Sequence, residues 1–366
     1  MSTRQIPGLL SWSCFLAFAL VLFAPAVFNA APGSSSSDYH LIRNIPLGGE
    51  GGWDYVTIDP QAKRVYIPRS EDIQVVDEVS GKIIADITGM KGLHGVAVAP
   101  EFGRGFATGN DPEAEIYLLD LKAMKVTGKI TPPGAKGSDS LYYDSVTKRA
   151  FINTAGSNNA QVVDGKTGEM IGTVNFPGRP EAAVSNGKGH MFVNIVDKDQ
   201  VVEYDAKTFA IKNTWSSAPC TKGYGIAMDT THRRLFLACQ PSPTTGVFVV
   251  MNADTGAVVA SMPIGIGSDG AAFDPGTGNA FATCRDSGDG QNGATYIFHE
   301  DSPDKYSKVA EVKTIYGART VSLDPKTHHV FSVATEKNEP VPPTEKNPTP
   351  RPRPVPSSFM VVEIGK

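Results

Sequence analysis

The sequence predicts an all-β chain folded as a seven-bladed β-propeller, and three observations carry that reading. One short pattern is spelled seven times: DYVTIDP at 54–60, HGVAVAP at 94–100, DSLYYDS at 139–145, EAAVSNG at 181–187, YGIAMDT at 224–230, DGAAFDP at 269–275 and RTVSLDP at 319–325. Each is an apolar run closed by a turn signal, and each returns after about 40 to 50 residues, a period that with strand-type content marks a propeller. The composition suits short strands and many tight turns, with 20% charged residues, 37 Gly, 27 Pro and few helix-period apolar stretches. Finally, an unpartnered strand precedes the first repeat, and the last repeat is one strand short.

Taken in order, the chain begins with a thin positive region at Arg4 and an almost wholly apolar stretch over 9–28. Pro25 interrupts that stretch, and small residues follow at Ala24, Ala26, Ala30 and Ala31. Residues 1–31 therefore read as a cleaved signal peptide, 32–38 as a flexible linker and 39–366 as the propeller. Cys14 leaves with the signal. The expected mature protein is periplasmic or secreted, monomeric, and without a membrane span after cleavage.

Blade one is read as an inner strand at 54–59, then strands at 64–68, 73–76 and 82–87, each bounded by Gly, Pro or Asp as hairpins require. Second strands recur at 105–108, 150–153, 191–194, 235–239, 280–284 and 330–333. Third strands recur at 116–119, 161–163, 201–204, 247–251, 294–298 and 359–364. The orphan strand at 39–46 runs into Leu47-Gly48-Gly49, much as the fourth strand of blade five ends near Gly265. It is expected to supply the missing fourth strand of blade seven, and ring closure of this kind removes open sheet edges. A proline-dense insertion at 336–358, carrying Arg351 and Arg353, separates the second and third strands of that blade. It reads as an extended solvated loop, with a partner-docking arm as the alternative.

Two signatures recur in the blades, Val-Val-Asp (Val75-Val76-Asp77, Val162-Val163-Asp164) and Thr-Gly (Asp254-Thr255-Gly256). With the period and the N-terminal closure, they resemble the YVTN-type repeat propellers, and among these the exported YncE-like proteins, over residues 39–366. The resemblance implies a binding propeller without an assigned reaction, and one member type is associated with DNA. Here the net charge of −4 and pI near 6.0 speak against nucleic acid, whose binding surfaces carry a basic excess.

Cys220 precedes one core strand and Cys239 ends the next, with the turn at 229–234 between them. Antiparallel pairing brings them together, so a Cys220–Cys239 disulfide is expected, in keeping with export to an oxidising compartment. Cys284 reads as a buried free thiol. No CxxC or CxxCH occurs.

The chemistry-bearing residues form a column. The first residue of each repeated pattern falls at one mouth of the central channel: Asp54, His94, Asp139, Glu181, Tyr224, Asp269 and Arg319. Four of these seven are acidic in a chain with 38 Asp and Glu among 366 residues, so the column is enriched. Trp53 and Tyr55 stand beside it, and the second strands end at the same face, bringing Arg69, Asn110, Asn153, Asn194 and Arg285 into range. Crowded like charges repel unless a cation, a proton or a hydrogen-bonding ligand sits among them. Asp54, Asp139, Glu181 and Asp269 offer hard oxygens that favour Ca²⁺ or Mg²⁺. The same ring suits a sugar or a cationic peptide, with Trp53 as a stacking surface. The plainer alternative is that these side chains cap blade turns and hold channel water.

Three functions follow as expectations. The first is a non-catalytic binding propeller that takes a small molecule, an ion or an envelope protein at its acidic mouth. The second is a metal-dependent hydrolase of lactonase type, with a carboxylate or His94 as base and Arg319 at an oxyanion. The third is an envelope scaffold that works through the proline-dense insertion. Other motifs add nothing: GIGSDG at 265–270 opens a strand instead of a helix, and the loop at 286–290 lacks the distal Glu of a calcium loop. His232, His328 and His329 fall in turns between first and second strands and read as solvated. No GxSxG, HExxH or P-loop is present.

Overall fold

Carboxylates that close hairpins set the architecture. At the end of five of the inner strands an aspartate accepts backbone N–H groups of the turn that follows: Asp59 from Gln61 and Ala62 at 3.0 Å each, and Asp229 from Thr231 and His232 at 2.8 Å each. Asp274 and Asp324 do the same for Gly276 and Lys326. A side chain that mimics a backbone turn in this way fixes where the chain reverses. The Val-Val-Asp and Thr-Gly signatures have the same physical content two hairpins later, between the third and fourth strands. Asp164 Oδ1 accepts from Lys166 and Thr167 at 2.9 and 2.8 Å, and Gly168 then takes a φ of 77° that side-chain-bearing residues avoid. At the equivalent Gly256, a Cβ would stand 2.2 Å from Trp215 Cγ.

The structure is a computed structural model that describes residues 38–337, 341–345 and 353–366. The expected signal peptide with Cys14, most of the linker, and the centre of the proline-dense insertion lie outside the described residues. Among the described residues, seven four-stranded antiparallel sheets form, and no helix is long and apolar enough to cross a membrane. The innermost strands are Thr57–Asp59, Val96–Ala99, Ser138–Asp144, Pro180–Ser185, Gly223–Asp229, Gly270–Asp274 and Ser322–Asp324. Blade seven is completed by the N-terminal strand His40–Pro46, which pairs antiparallel with Met360–Gly365 from His40 opposite Gly365 to Pro46 opposite Met360. The chain is thus a seven-bladed propeller closed as the sequence predicts.

Burial follows from each sheet being sandwiched between two others. The second and third strands of blade one, Arg64–Arg69 and Asp72–Asp77, are buried almost throughout, because both faces meet a neighbouring blade. An outer strand such as Lys125–Ile130 is half exposed or more. Aromatic rings key blades five and six together: Phe236 stacks on Phe273 at 4.9 Å and Phe248 on Phe298 at 5.5 Å. Blade six also departs from the expected lengths, with Asn292–Ser302 and Lys305–Ile315 pairing over eleven residues each.

One expected detail is different. The inner strands of blades one, two, six and seven begin later than the repeat pattern, so Asp54, His94, Asp269 and Arg319 lie on the segments leading into them. Near the axis, backbone groups are used between blades: Tyr55 N donates to His94 O at 3.0 Å, and Asp269 N to Arg319 O at 3.1 Å. The mouth is therefore stitched blade to blade by the residues of the column.

Cys220 and Cys239 form a disulfide across the inner hairpin of blade five, with Cα atoms 5.3 Å apart and a sequence separation of 19. Replacing both by serine is expected to cost about 3 kcal/mol, the value for closing a loop of this size. Urea unfolding measures it; an unchanged midpoint would contradict a stapling role. Cys284 is free and buried, and burial pushes its thiol up to about 12.

The channel mouth as a candidate ligand site

Five members of the predicted column are joined side chain to side chain. Arg319 reaches Asp269 Oδ2 at 2.6 Å on one side and Asp54 Oδ1 at 3.3 Å on the other. Asp54 Oδ2 then meets His94 Nδ1 at 3.0 Å, and the same nitrogen lies 3.6 Å from Asp139 Oδ1. Blades six, seven, one, two and three thus contribute an arc that alternates acid, base, acid, base, acid. The repulsion expected among the carboxylates is relieved from within by Arg319 and His94. The hydrogen bond to Asp54 raises the His94 pKa above its ordinary value, while burial and the Asp54 charge raise that of Asp139.

Glu181 on blade four completes the mouth in another way. The Tyr55 hydroxyl donates to Glu181 Oε1 at 3.0 Å, so the Tyr55 side chain runs from blade one to blade four, across the ring. Arg179 lies 3.3 Å from Glu181 Oε2. Burial, followed by the charge of Asp139, nevertheless pushes the Glu181 carboxyl up to about 8. Burial and then Glu181 raise the Tyr55 phenol well above its ordinary value. Below this bridge the channel is a cavity of about 510 Å³ walled mostly by apolar inner-strand residues such as Val98, Ile226 and Leu323.

No protein-family model and no curated protein matches the chain. Solved structures do. The hydrazine synthase of Kuenenia stuttgartiensis is similar with a TM-score of 0.66 and 14% identity, over 78% of this chain and 94% of that one. U3-55K is similar with a TM-score of 0.70 and 7% identity, over 88% and 97%. The WD40 repeats of RRP9 are similar with a TM-score of 0.69 and 8% identity, over 91% and 98%. What they share with this chain is the fold. It is a seven-bladed propeller with WD40-like structural neighbours.

Within the propeller, the remaining predicted residues are placed as follows. Tyr224 is the second residue of the inner strand of blade five and is half buried. Trp53 is set back from the carboxylates: its ring packs on Phe359 at 5.5 Å and lines a separate pocket beside Arg319. Arg69 is engaged elsewhere, bonding Gly48 O, Glu50 O and Gln74 Oε1 at 2.8–3.1 Å with its guanidinium over Phe359. Asn153 and Asn194 turn their amides to the backbone of the next blade, at Glu181 O and Gly225 O, and act as clips between blades. Asn110 ends the second strand of blade two. Two of the three amide neighbours expected around a hard cation, Asn153 and Asn194, are thus spent on structure.

Among the described residues, two groups of His and carboxylate side chains are spaced to hold a metal ion, Asp54–His94–Asp139 at the mouth and Asp229–His232–Glu300 at the opposite face. The second group was read from sequence as a solvated turn. In the structure His232 Nδ1 lies 2.8 Å from Asp229 Oδ2 and 3.3 Å from Glu300 Oε1. His328 and His329 likewise pair with buried carboxylates, Asp274 and Glu363, at 2.8 Å each. The Asp-x-x-His spacing within the turn is the one sequence signal that points to the first of these contacts.

Proposed function

We propose that the protein is an exported, monomeric binding propeller of the YVTN-repeat, YncE-like type whose channel mouth holds a divalent cation and, through it, a small ligand. The observation that carries this reading is the spacing of the Asp54, His94 and Asp139 ligand atoms. Donors bound at 2.0–2.2 Å to one tetrahedral or octahedral ion stand about 3 to 3.6 Å from one another. The two His94 separations, 3.0 and 3.6 Å, fall in that range before any ion is added. The His94 side chain is 37% exposed, so an ion there keeps positions open toward solvent for a ligand.

Four carboxylates alone suggest Ca²⁺ or Mg²⁺. With an imidazole in the set, Zn²⁺ or Mn²⁺ fits better. Calorimetric titration of the full-length chain with each ion tests the reading. Asp139→Asn and His94→Gln are each expected to weaken binding at least roughly tenfold, the scale on which a lost metal contact is felt. Affinity is also expected to rise with pH, because the cation must displace the proton that Asp54 favours on His94. No binding, or binding indifferent to both substitutions, would sink the proposal. The acidic balance supports a small ligand or protein partner over nucleic acid.

One feature supports the metal-dependent hydrolase as a second reading. Burial and the charge of Asp139 raise the Glu181 pKa, the direction a general acid requires. Turnover of an ester or lactone that is lost in both Asp139→Asn and Glu181→Gln would favour it over binding alone.

A further inference from the structure

A second pocket of about 300 Å³ opens beside the arc, lined by Trp53, Arg285, Tyr316, Arg319, Lys337 and Pro354. The last two belong to the stem of the proline-dense insertion, where Lys337 and Pro354 bridge the two strands of the loop. Gly317, on the rim of this space, takes a φ of 103° that side-chain-bearing residues avoid.

Among the described residues, no carboxylate of the pocket walls balances its charges. Arg319 is committed to Asp54 and Asp269. The Lys337 ammonium lies 4.7 Å from the centre of the Tyr316 ring and donates to Gly290 O, neither of which neutralises it. Arg285 is half buried, packs its guanidinium against Gly267, and has no ion-pair partner among the described residues. Its Nε is buried without a hydrogen-bond acceptor, and so is the indole Nε1 of Trp53. Leaving such donors unmade is costly, and more so when they are charged.

We infer that this pocket binds a small aromatic carboxylate, with the carboxylate on Arg285 and Lys337 and the flat body between Trp53, Tyr316 and Pro354. A guanidinium offers two parallel N–H groups to a carboxylate, which fixes orientation as well as charge. The aromatic and proline walls decide against a bare inorganic anion, which would leave them wet while using only the cations. The insertion thereby gains a role at its base, where its stem forms one wall of the site.

The test is calorimetric titration of the full-length chain with benzoate and, separately, with inorganic phosphate. Both titrations are run in EDTA, so that failure of the cation site at the mouth has no bearing on the outcome. Benzoate is expected to bind, with phosphate roughly tenfold weaker or worse. Arg285→Gln and Lys337→Gln are each expected to weaken benzoate roughly tenfold, the scale of a lost charge-assisted hydrogen bond. Thermal midpoints of the two variants serve as the folding control, and Lys337, on the loop stem, carries the test if Arg285→Gln does not fold. Absence of benzoate binding at millimolar concentration overturns the inference. So does benzoate binding undiminished in folded variants, or phosphate binding as tightly as benzoate.

Discussion

Glu181→Gln is expected to match the native protein in stability near pH 5 and to exceed it at pH 8 by an amount on the order of 3 kcal/mol. The Glu181 side chain is only 6% exposed, and burial with the Asp139 charge lifts its pKa from 4.5 to about 8. Between those values the folded protein holds a proton that the unfolded chain has released. Stability must then fall as pH rises through this window, since the folded state binds more protons there. Glutamine keeps the shape and can still accept from the Tyr55 hydroxyl, but it has no proton to lose. His94 and Asp139 are also raised in pKa, so they add slope of the same sign to both proteins. The difference between the two isolates Glu181. Urea unfolding at pH 5, 6, 7 and 8 measures it, and parallel curves would refute the assignment.

Arg319→Met is expected to destabilise the fold by about 3 kcal/mol, the lower end of what breaking a buried ion pair costs. Arg319 is 19% exposed and holds two carboxylates apart, so its loss leaves Asp54 and Asp269 facing each other with less water than they need. The cost therefore lies in the orphaned acids. Adding Asp269→Asn to Arg319→Met is expected to recover a good part of the loss, giving a coupling of about 1 to 2 kcal/mol in a double-mutant cycle. Additive costs would mean that the arc is not a network.

Local chemistry made the fold legible. The acid at the end of an inner strand and the Val-Val-Asp before a Thr-Gly turn each state a short-range requirement that recurs along the chain, and the orphan strand at 39–46 supplies the one strand the last repeat lacks. The column of Asp54, His94, Asp139, Glu181, Tyr224, Asp269 and Arg319 could be read the same way, because equivalent positions in a closed ring must share a face. What could not be read is which side chain turns to which neighbour. Tyr55 meets Glu181 across 126 residues because blades one and four face each other over the channel, a relation set only by closure. Arg179 escapes the pattern because it precedes the inner strand of its blade by one residue. Asn153 and Asn194 are at the expected end of their strands, yet the demand of neighbouring backbone carbonyls turns their amides between blades. Trp53 yields to the apolar face of Phe359 for a similar reason.

The most direct test of the account is a diffraction experiment on crystals grown with Mn²⁺, with data collected where manganese scatters anomalously. The account expects one strong peak bounded by Asp54 Oδ2, His94 Nδ1 and Asp139 Oδ1, at about 2.0 to 2.3 Å from each. A map with no peak there, while Arg319 and His94 keep their pairs with Asp54, would show that the arc is complete without a cation and that the mouth is not a metal site.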